Sequence, residues 1–572
     1  MTTHVVRGPR FRLPRLRTLW LIGLMAVVGW LVILPLGSVL LGSFRVSPPG
    51  VPSPLTLQNY VNAVSSPRFG KAVVNSFLFA VPSTVIAFAI GTYLAWLTER
   101  TNVPFRKLIY IAVLVPIVVP GILTSIAWVL IFSDTIGIAN HFVAMLGLPR
   151  VFSAYTLPAM VWAQASDAIT LPFLLMAAAF RVMDPSLEEA SATCGAGQRK
   201  TMWLVTLPLM APAALGTLLI VFVKSIDSFE VPAVMGVPGG ITVFATEVWL
   251  ATSRSPVDHN LAAAFAMIYL AFTFGGLYFY YRATNLSAKF ATITGKGFRP
   301  RRIDLGRRRG VHTTVAFGVL GVAVLLPFLV MVYSALLPFY SVPRARVWGT
   351  MSLVNFEWVL TNSTTMRALR NNVLTGFGSS ILVMTLAILV SWVVLRTGVR
   401  GRRLLDAAAF APIAVPGIVI GLALVWFYLE VPVPVYATLW IIVIAYATAN
   451  LPYALRATHA SLSQLGRELE EASQTSGANF ARTMFSVVLP LISGGLLVGF
   501  VYVFSFAFKG LSLPILLAGP GTEILPVLVY DLYATGQYTR LNALGVLMFA
   551  FLVLMAVIAQ QVAKRLGYET ER

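Results

Sequence analysis

The sequence predicts an all-α integral membrane protein: twelve transmembrane helices arranged as two parallel six-helix repeats, N-in and C-in. Three observations lead there. Apolar residues make up 58% of the 572-residue chain and charged residues only 11%, with a mean hydropathy of +0.82, which leaves too few charges to coat a water-facing surface. The Lys and Arg residues behind the net charge of +21 fall in short clusters between long apolar runs, the signature of a polytopic membrane protein. The second half of the chain also repeats landmarks of the first, in the same order and orientation.

The first apolar run, 19–43, follows the basic stretch RGPRFRLPRLRT. It is too long for a signal-peptide core and has no small-residue cleavage site, so it reads as a retained span. Five more follow in the first half at 72–98, 108–132, 154–180, 207–226 and 259–281. The second half offers 312–337, 371–395, 404–428, 435–456, 489–508 and 541–563. Each is long enough to cross about 30 Å of hydrocarbon as a helix, and a helix satisfies every backbone N–H inside its own segment. With the N-terminus in the cytoplasm, 30 of the 42 Lys and Arg residues fall on the cytoplasmic side, which sets the orientation. The basic excess therefore reports topology, and no folded basic face is left for nucleic acid.

The repeat is specific. EEASATCGAGQRKTMWLVTLPL (Glu188–Leu209) and EEASQTSGANFARTMFSVVLPL (Glu470–Leu491) agree at 13 of 22 positions, at an offset of 282. PIVVPGI (Pro116–Ile122) matches PIAVPGI (Pro412–Ile418) at offset 296, and LPF at Leu171 matches LPY at Leu451. Six spans per half is an even number, so the halves share one topology and are parallel repeats. This divides the chain into a first repeat (1–285), a basic cytoplasmic linker (286–310) and a second repeat (311–572).

Both copies of the 22-residue stretch fall in a cytoplasmic loop between the fourth and fifth spans of their half. DPSLEEAS opens like a helix: Asp184 can cap it, Pro185 suits the first helical position, and Glu188 and Glu189 sit in the positive first turn. Gly195 and Gly477 then break the chain, and Pro208 and Pro490 open the next span. One copy alone reads as a solvated interfacial helix. Two copies that stay alike imply a pair of like partner surfaces beneath the membrane. Glu189, Ala190, Ser191, Gly195, Val205, Leu207 and Pro208 fit the EAA loop of bacterial binding-protein-dependent ABC importer permeases, which this stretch resembles. Glu471, Ala472, Ser473, Gly477, Val487, Leu489 and Pro490 fit it a second time. Serine replaces the second alanine in both copies. The resemblance implies a type I ABC importer permease fold in a bacterial inner membrane, with each loop acting as a coupling helix seated on one of two cytoplasmic ATP-binding subunits. It further implies an extracytoplasmic solute-binding protein, with ATP and Mg held by the partner subunits and none by this chain.

The residues agree with that division of labour. No GxxxxGK[ST] phosphate loop occurs; TGKGF at Thr294–Phe298 lacks the upstream glycine. The single cysteine, Cys194, excludes an intramolecular disulfide, and the five histidines show no ligand spacing. No catalytic constellation is present, so the chain reads as a transport component and not an enzyme. The fused two-half architecture and SIDSFEVPAVMG (Ser225–Gly236) resemble the ferric-iron branch of these permeases, with thiamine and polyamine permeases related. Lys224, Asp227 and Glu230 are expected at the outer end of the fifth span, and Lys509 stands where the first half has Asp227. They read either as a gate or docking point for the binding protein, or as a solvated span end with a Lys224–Asp227 pair at i, i+3. Pro120-Gly121 and Pro416-Gly417 either bend the third span of each half or ease close packing. An ion-coupled secondary transporter is the rival class. It calls for ionisable residues within its spans, whereas the charges noted here fall at span ends.

Overall fold

The computed structural model describes residues 13–184, 186–287 and 303–565. Arg7, Arg10 and Arg12, the helix-opening Pro185, the TGKGF stretch, most of the basic linker and Arg572 lie outside these. Among the described residues the regular secondary structure is all helical, with only two isolated backbone bridges, Arg45–Leu55 and Thr101–Ile303.

Among the described residues nine helices are single pieces long and apolar enough to cross a membrane, and three more crossings are pairs bent at a short break. In chain order, spans 1–6 are Thr18–Ser43, Pro67–Arg100, Arg106–Val118 with Gly121–Phe132, Leu157–Ala168 with Thr170–Val182, Met202–Ile226, and His259–Gly276. Spans 7–12 are Gly306–Ala335, Ser363–Arg396, Arg402–Ala414 with Gly417–Glu430, Leu439–Gln464, Phe480–Lys509, and Tyr538–Arg565. The six expected crossings are present in each half.

Proline shapes these helices in two ways. Pro35, Pro208, Pro327 and Pro490 each follow by two residues a five-residue π turn: Gly29–Ile33, Met202–Thr206, Gly321–Leu325 and Met484–Val488. A proline inside an α-helix lacks an N–H and its ring crowds the carbonyl four residues back. In all four cases that carbonyl lies in the π turn, where the wider i→i+5 ladder makes room. At Pro120 and Pro416 the backbone is extended instead (ψ 132° and 142°). One helix ends there and another starts, and the pieces meet at 102° in span 3 and 113° in span 9.

The halves interlock. Span 1 leaves its own repeat and packs on the second: Leu21, Leu24 and Val28 share a buried cluster with Val383, Val390 and Leu451. Trp30 Nε1 donates to the Tyr428 hydroxyl at 3.1 Å. Gly42 lies so close to Trp426 that a Cβ there would meet its ring at 2.8 Å. Span 7 does the reverse. Ala316, Leu320 and Ala323 pack with Leu94, Phe173 and Met176 of the first half, and His312 Nδ1 lies 2.9 Å from the Tyr93 hydroxyl. Just before span 7, Ile303 N donates to Arg100 O at 2.7 Å, tying the start of the second half to the end of span 2.

Candidate solute cavity and coupling loops

The breaks in spans 3 and 9 open toward a cavity of about 700 Å³ between the halves. A helix that stops inside a protein leaves its last carbonyls and first amides without intrahelical partners, and here one helix end at each break is met from the other half. Lys509, at the end of span 11, donates Nζ to Pro116 O at 3.4 Å and also to Ile117 O, at the C-terminal end of Arg106–Val118. Asp227, just past span 5, accepts from Gly417 N at 3.2 Å, at the N-terminal end of Gly417–Glu430. The signs match the helix ends: a cation on carbonyls, an anion on amides. The two residues occupy equivalent positions at offset 282, so opposite charges in the two copies serve opposite ends of two broken helices.

Neighbouring groups extend this arrangement. Glu230 Oε1 accepts from Leu511 N at 3.2 Å, again across the halves. Lys224 Nζ lies 4.0 Å from Asp227 Oδ2 and 5.7 Å from the centre of the Tyr453 ring. The i, i+3 pair therefore forms, and its members line the cavity. A Cβ on Gly121 would make only ordinary contact with Glu230, at 3.9 Å, while a Cβ on Gly417 would meet Ser512 Oγ at 2.5 Å. Close packing thus accompanies the bend in the second half only.

One expectation needs correction. Ionisable side chains are not confined to span ends: Asp167 lies within span 4, beside the 45° bend between Leu157–Ala168 and Thr170–Val182, and lines the same cavity. Lys509 and Glu230 are the charges that act on it. Its signal was a single carboxylate in the apolar run WAQASDAITLPF, where an intramembrane charge marks function by default. Aligning LPF with LPY places Ala447 at the equivalent position, so the second half has no copy of it.

On the cytoplasmic side the two 22-residue stretches fold alike. Ser186–Thr193 and Arg467–Thr475 are short helices, each closed by a glycine with positive φ, Gly195 at 80° and Gly477 at 87°. Ala196 N donates to Ser191 O at 3.0 Å and Gly195 N to Ala192 O at 3.0 Å; Ala478 N donates to Ser473 O at 3.1 Å and Gly477 N to Gln474 O at 3.0 Å. This is the Schellman pattern that a left-handed glycine permits. In both copies a hydroxyl pair closes the hairpin: Ser191 to Thr201 at 2.9 Å and Ser473 to Thr483 at 3.0 Å. Glu189, Ala190, Glu471 and Ala472 are exposed, and Leu207-Pro208 and Leu489-Pro490 open the long helices of spans 5 and 11. Glu188 and Glu470 instead turn inward, onto Arg100 and Arg396.

Two like helical halves around a shared cavity, with broken helices aimed into it and a matched loop on one face, define a membrane transport protein. A family model, the binding-protein-dependent transport system inner membrane component, matches the chain twice, over residues 87–289 and 384–568. The chain belongs to that family. Among its relatives, the ferric transport system permease protein FbpB of Actinobacillus pleuropneumoniae is 25% identical over 497 residues, covering 85% of this chain and 70% of the relative. The Fe(3+)-transport system permease protein FbpB 2 of Haemophilus influenzae is 24% identical over 552 residues, covering 94% and 97%. The sulfate transport system permease protein CysT of Salmonella typhimurium is 28% identical over 230 residues, covering 38% of this chain and 83% of its own length.

Proposed function

We propose that this chain is the membrane permease subunit of an ATP-driven importer for ferric iron, in a bacterial inner membrane. A binding protein delivers the ion from outside, and two cytoplasmic ATP-binding subunits, carrying ATP and Mg, drive its passage. Residues 1–285 and 311–572 act as the two permease repeats and 286–310 as the linker between them. The observation that carries the reading is the pair of loops. Glu189, Ala190, Ser191 and Gly195, and Glu471, Ala472, Ser473 and Gly477, present one shape twice, which suits two copies of one partner.

Lys224, Asp227, Glu230 and Lys509 form the gate on this reading. They join the halves across the cavity, so solute passage requires their contacts to exchange. The solute assignment draws on the relatives' names and on the cavity, where Asp167, Asp227 and Glu230 supply oxygens of the hard type that ferric iron prefers. Among the described residues no three His, Cys, Asp or Glu side chains converge as a metal-ligand set. The test is reconstitution of the full chain with its ATPase and binding protein in proteoliposomes. ATP-dependent accumulation of ferric iron is expected. Accumulation of thiamine or a polyamine in its place overturns the solute, and transport that ignores ATP but follows an ion gradient overturns the class.

A further inference from the structure

Each coupling loop is joined to the membrane-spanning bundle by an ion pair that occurs once in each half. Arg100, the last residue of span 2, pairs with Glu188 on the first coupling helix; the arginine side chain is 1% exposed and the carboxylate 14%. Arg396, the last residue of span 8, pairs with Glu470 at 2.8 Å, with 10% and 11% exposed. The arginines correspond at offset 296 and the glutamates at 282, the same offsets that relate the rest of the repeat.

The surroundings of the two pairs differ. Thr206 Oγ1 donates to Glu188 Oε1 at 2.7 Å, where the second half has Val488. Arg396 instead donates to Leu462 O at 3.0 Å and Leu465 O at 2.7 Å, at the end of span 10. In the first half the matching link between spans 2 and 4 is made next door, where Arg181 donates to both oxygens of Glu99 at 2.8 and 2.7 Å. Different side chains thus clip the second span, the fourth span and the coupling helix together, around one common ion pair.

A solvated loop has no use for a buried guanidinium, and a buried ion pair stabilises a fold less than apolar packing of the same volume. What the pair supplies is fixed geometry. Span 2 also runs backbone to backbone against the bend in span 4: a Cβ on Gly91 would meet Ile169 O at 2.8 Å, two residues from Asp167. We propose that Arg100–Glu188 and Arg396–Glu470 are positioning struts that make each coupling helix move as one body with spans 2 and 8, so that a push from the ATPase reaches the cavity walls. The inference rests on the loops meeting ATPase subunits, as proposed above.

The test uses the full chain with its ATPase, in proteoliposomes supplied with ferric-loaded binding protein, reading both iron uptake and ATP hydrolysis. The neutral variant carries Arg100→Gln, Glu188→Gln, Arg396→Gln and Glu470→Gln. It is expected to assemble and to hydrolyse ATP while iron moved per ATP falls about tenfold, an ordinary size for a coupling free energy. The charge-swapped variant, Arg100→Glu with Glu188→Arg, leaves Arg396 on its two carbonyls and is expected to recover most of the ratio lost in the first-half neutral pair, Arg100→Gln with Glu188→Gln. A purely structural role predicts a lower Tm at an unchanged ratio, and that result overturns the proposal. So does a swap no better than the first-half neutral pair, or a well-folded neutral chain that no longer binds the ATPase, because the pairs would then serve docking. If the neutral chain does not fold, the swapped chain decides: a ratio near wild type supports the struts and a tenfold loss refutes them. Failure of the wild-type chain to bind an ATPase at all counts against the proposed function instead.

Discussion

At Lys509 an ammonium meets the carbonyls of Pro116 and Ile117, and at Asp227 a carboxylate meets the Gly417 amide. Hydrogen bonds to charged groups contribute about 1.5–3 kcal/mol, and losing either residue also leaves a helix end uncapped at the cavity. Lys509→Met and Asp227→Asn are therefore each expected to cut ATP-driven uptake about tenfold, the asparagine variant less if its carbonyl keeps the Gly417 bond. Uptake rates in proteoliposomes check this, and wild-type rates in both variants remove the charges from the gate. Outside the spans, Glu523 receives Arg367 Nε at 3.1 Å, Arg367 Nη2 at 3.2 Å and Gly521 N at 3.1 Å. Burial alone raises its carboxyl, but these bonds outweigh it and hold the group below its ordinary 4.5. A folded value lower than the unfolded one stabilises above the unfolded value and stops doing so as pH falls through the folded one. The Tm advantage of the wild type over Glu523→Gln is accordingly expected to be full at pH 6–7 and to be lost in acid, as pH falls below 4.5 and through the folded value. The opposite charges at 227 and 509 were legible as a departure from the repeat. Their partners were not, because those lie 190 and 392 residues away and no spacing rule links a side chain to a helix end in the other half.

At the scale of elements, the two matched cytoplasmic hairpins depend on one backbone conformation. Nothing stands within 4 Å of a Cβ built on Gly195 or Gly477, yet both have φ near +80°. Substitution is thus limited by conformation and not by space, at roughly 1–2 kcal/mol per residue forced into the left-handed region. Gly195→Val with Gly477→Val is expected to leave the Tm of the chain nearly unchanged while lowering stimulated ATP hydrolysis and uptake together. Gly→Asn at both positions should restore part of the loss, because asparagine tolerates that region. Equal effects of valine and asparagine would show that the turn geometry is not what matters. These helices and their glycine stops were readable from the repeat itself. The breaks of more than 100° at Pro120 and Pro416 were readable only as bends, since proline dictates that a helix is interrupted and the surrounding packing sets the angle. The π turns before Pro35, Pro208, Pro327 and Pro490 were hidden for the same reason: the motif gives the proline, and the turn before it is the backbone's accommodation.

At the scale of the whole molecule, the exchange of spans 1 and 7 makes each half depend on the other. Span 1 covers apolar surface of spans 8 and 10, and span 7 covers spans 2 and 4. A linear reading assigns each span to its own repeat, and the packing crosses that division. Gly42 is the tightest point of the exchange, with the Trp426 ring 2.8 Å from its would-be Cβ. Overpacking there costs about 1–3 kcal/mol, so Gly42→Leu is expected to lower the Tm and to weaken the grip of span 1 on the second half. The stronger test cuts the linker. Two chains, 1–295 and 296–572, produced together are expected to co-purify and to support uptake, because the buried contacts between halves do not depend on the covalent join. Produced alone, each leaves the surface of its missing partner span open and is expected to aggregate. A first chain that stays monodisperse by itself would show that span 1 can fold back onto its own repeat. The cavity between the halves would then be a meeting of two finished units, and its crossed helix caps at Lys509 and Asp227 would form after assembly instead of guiding it.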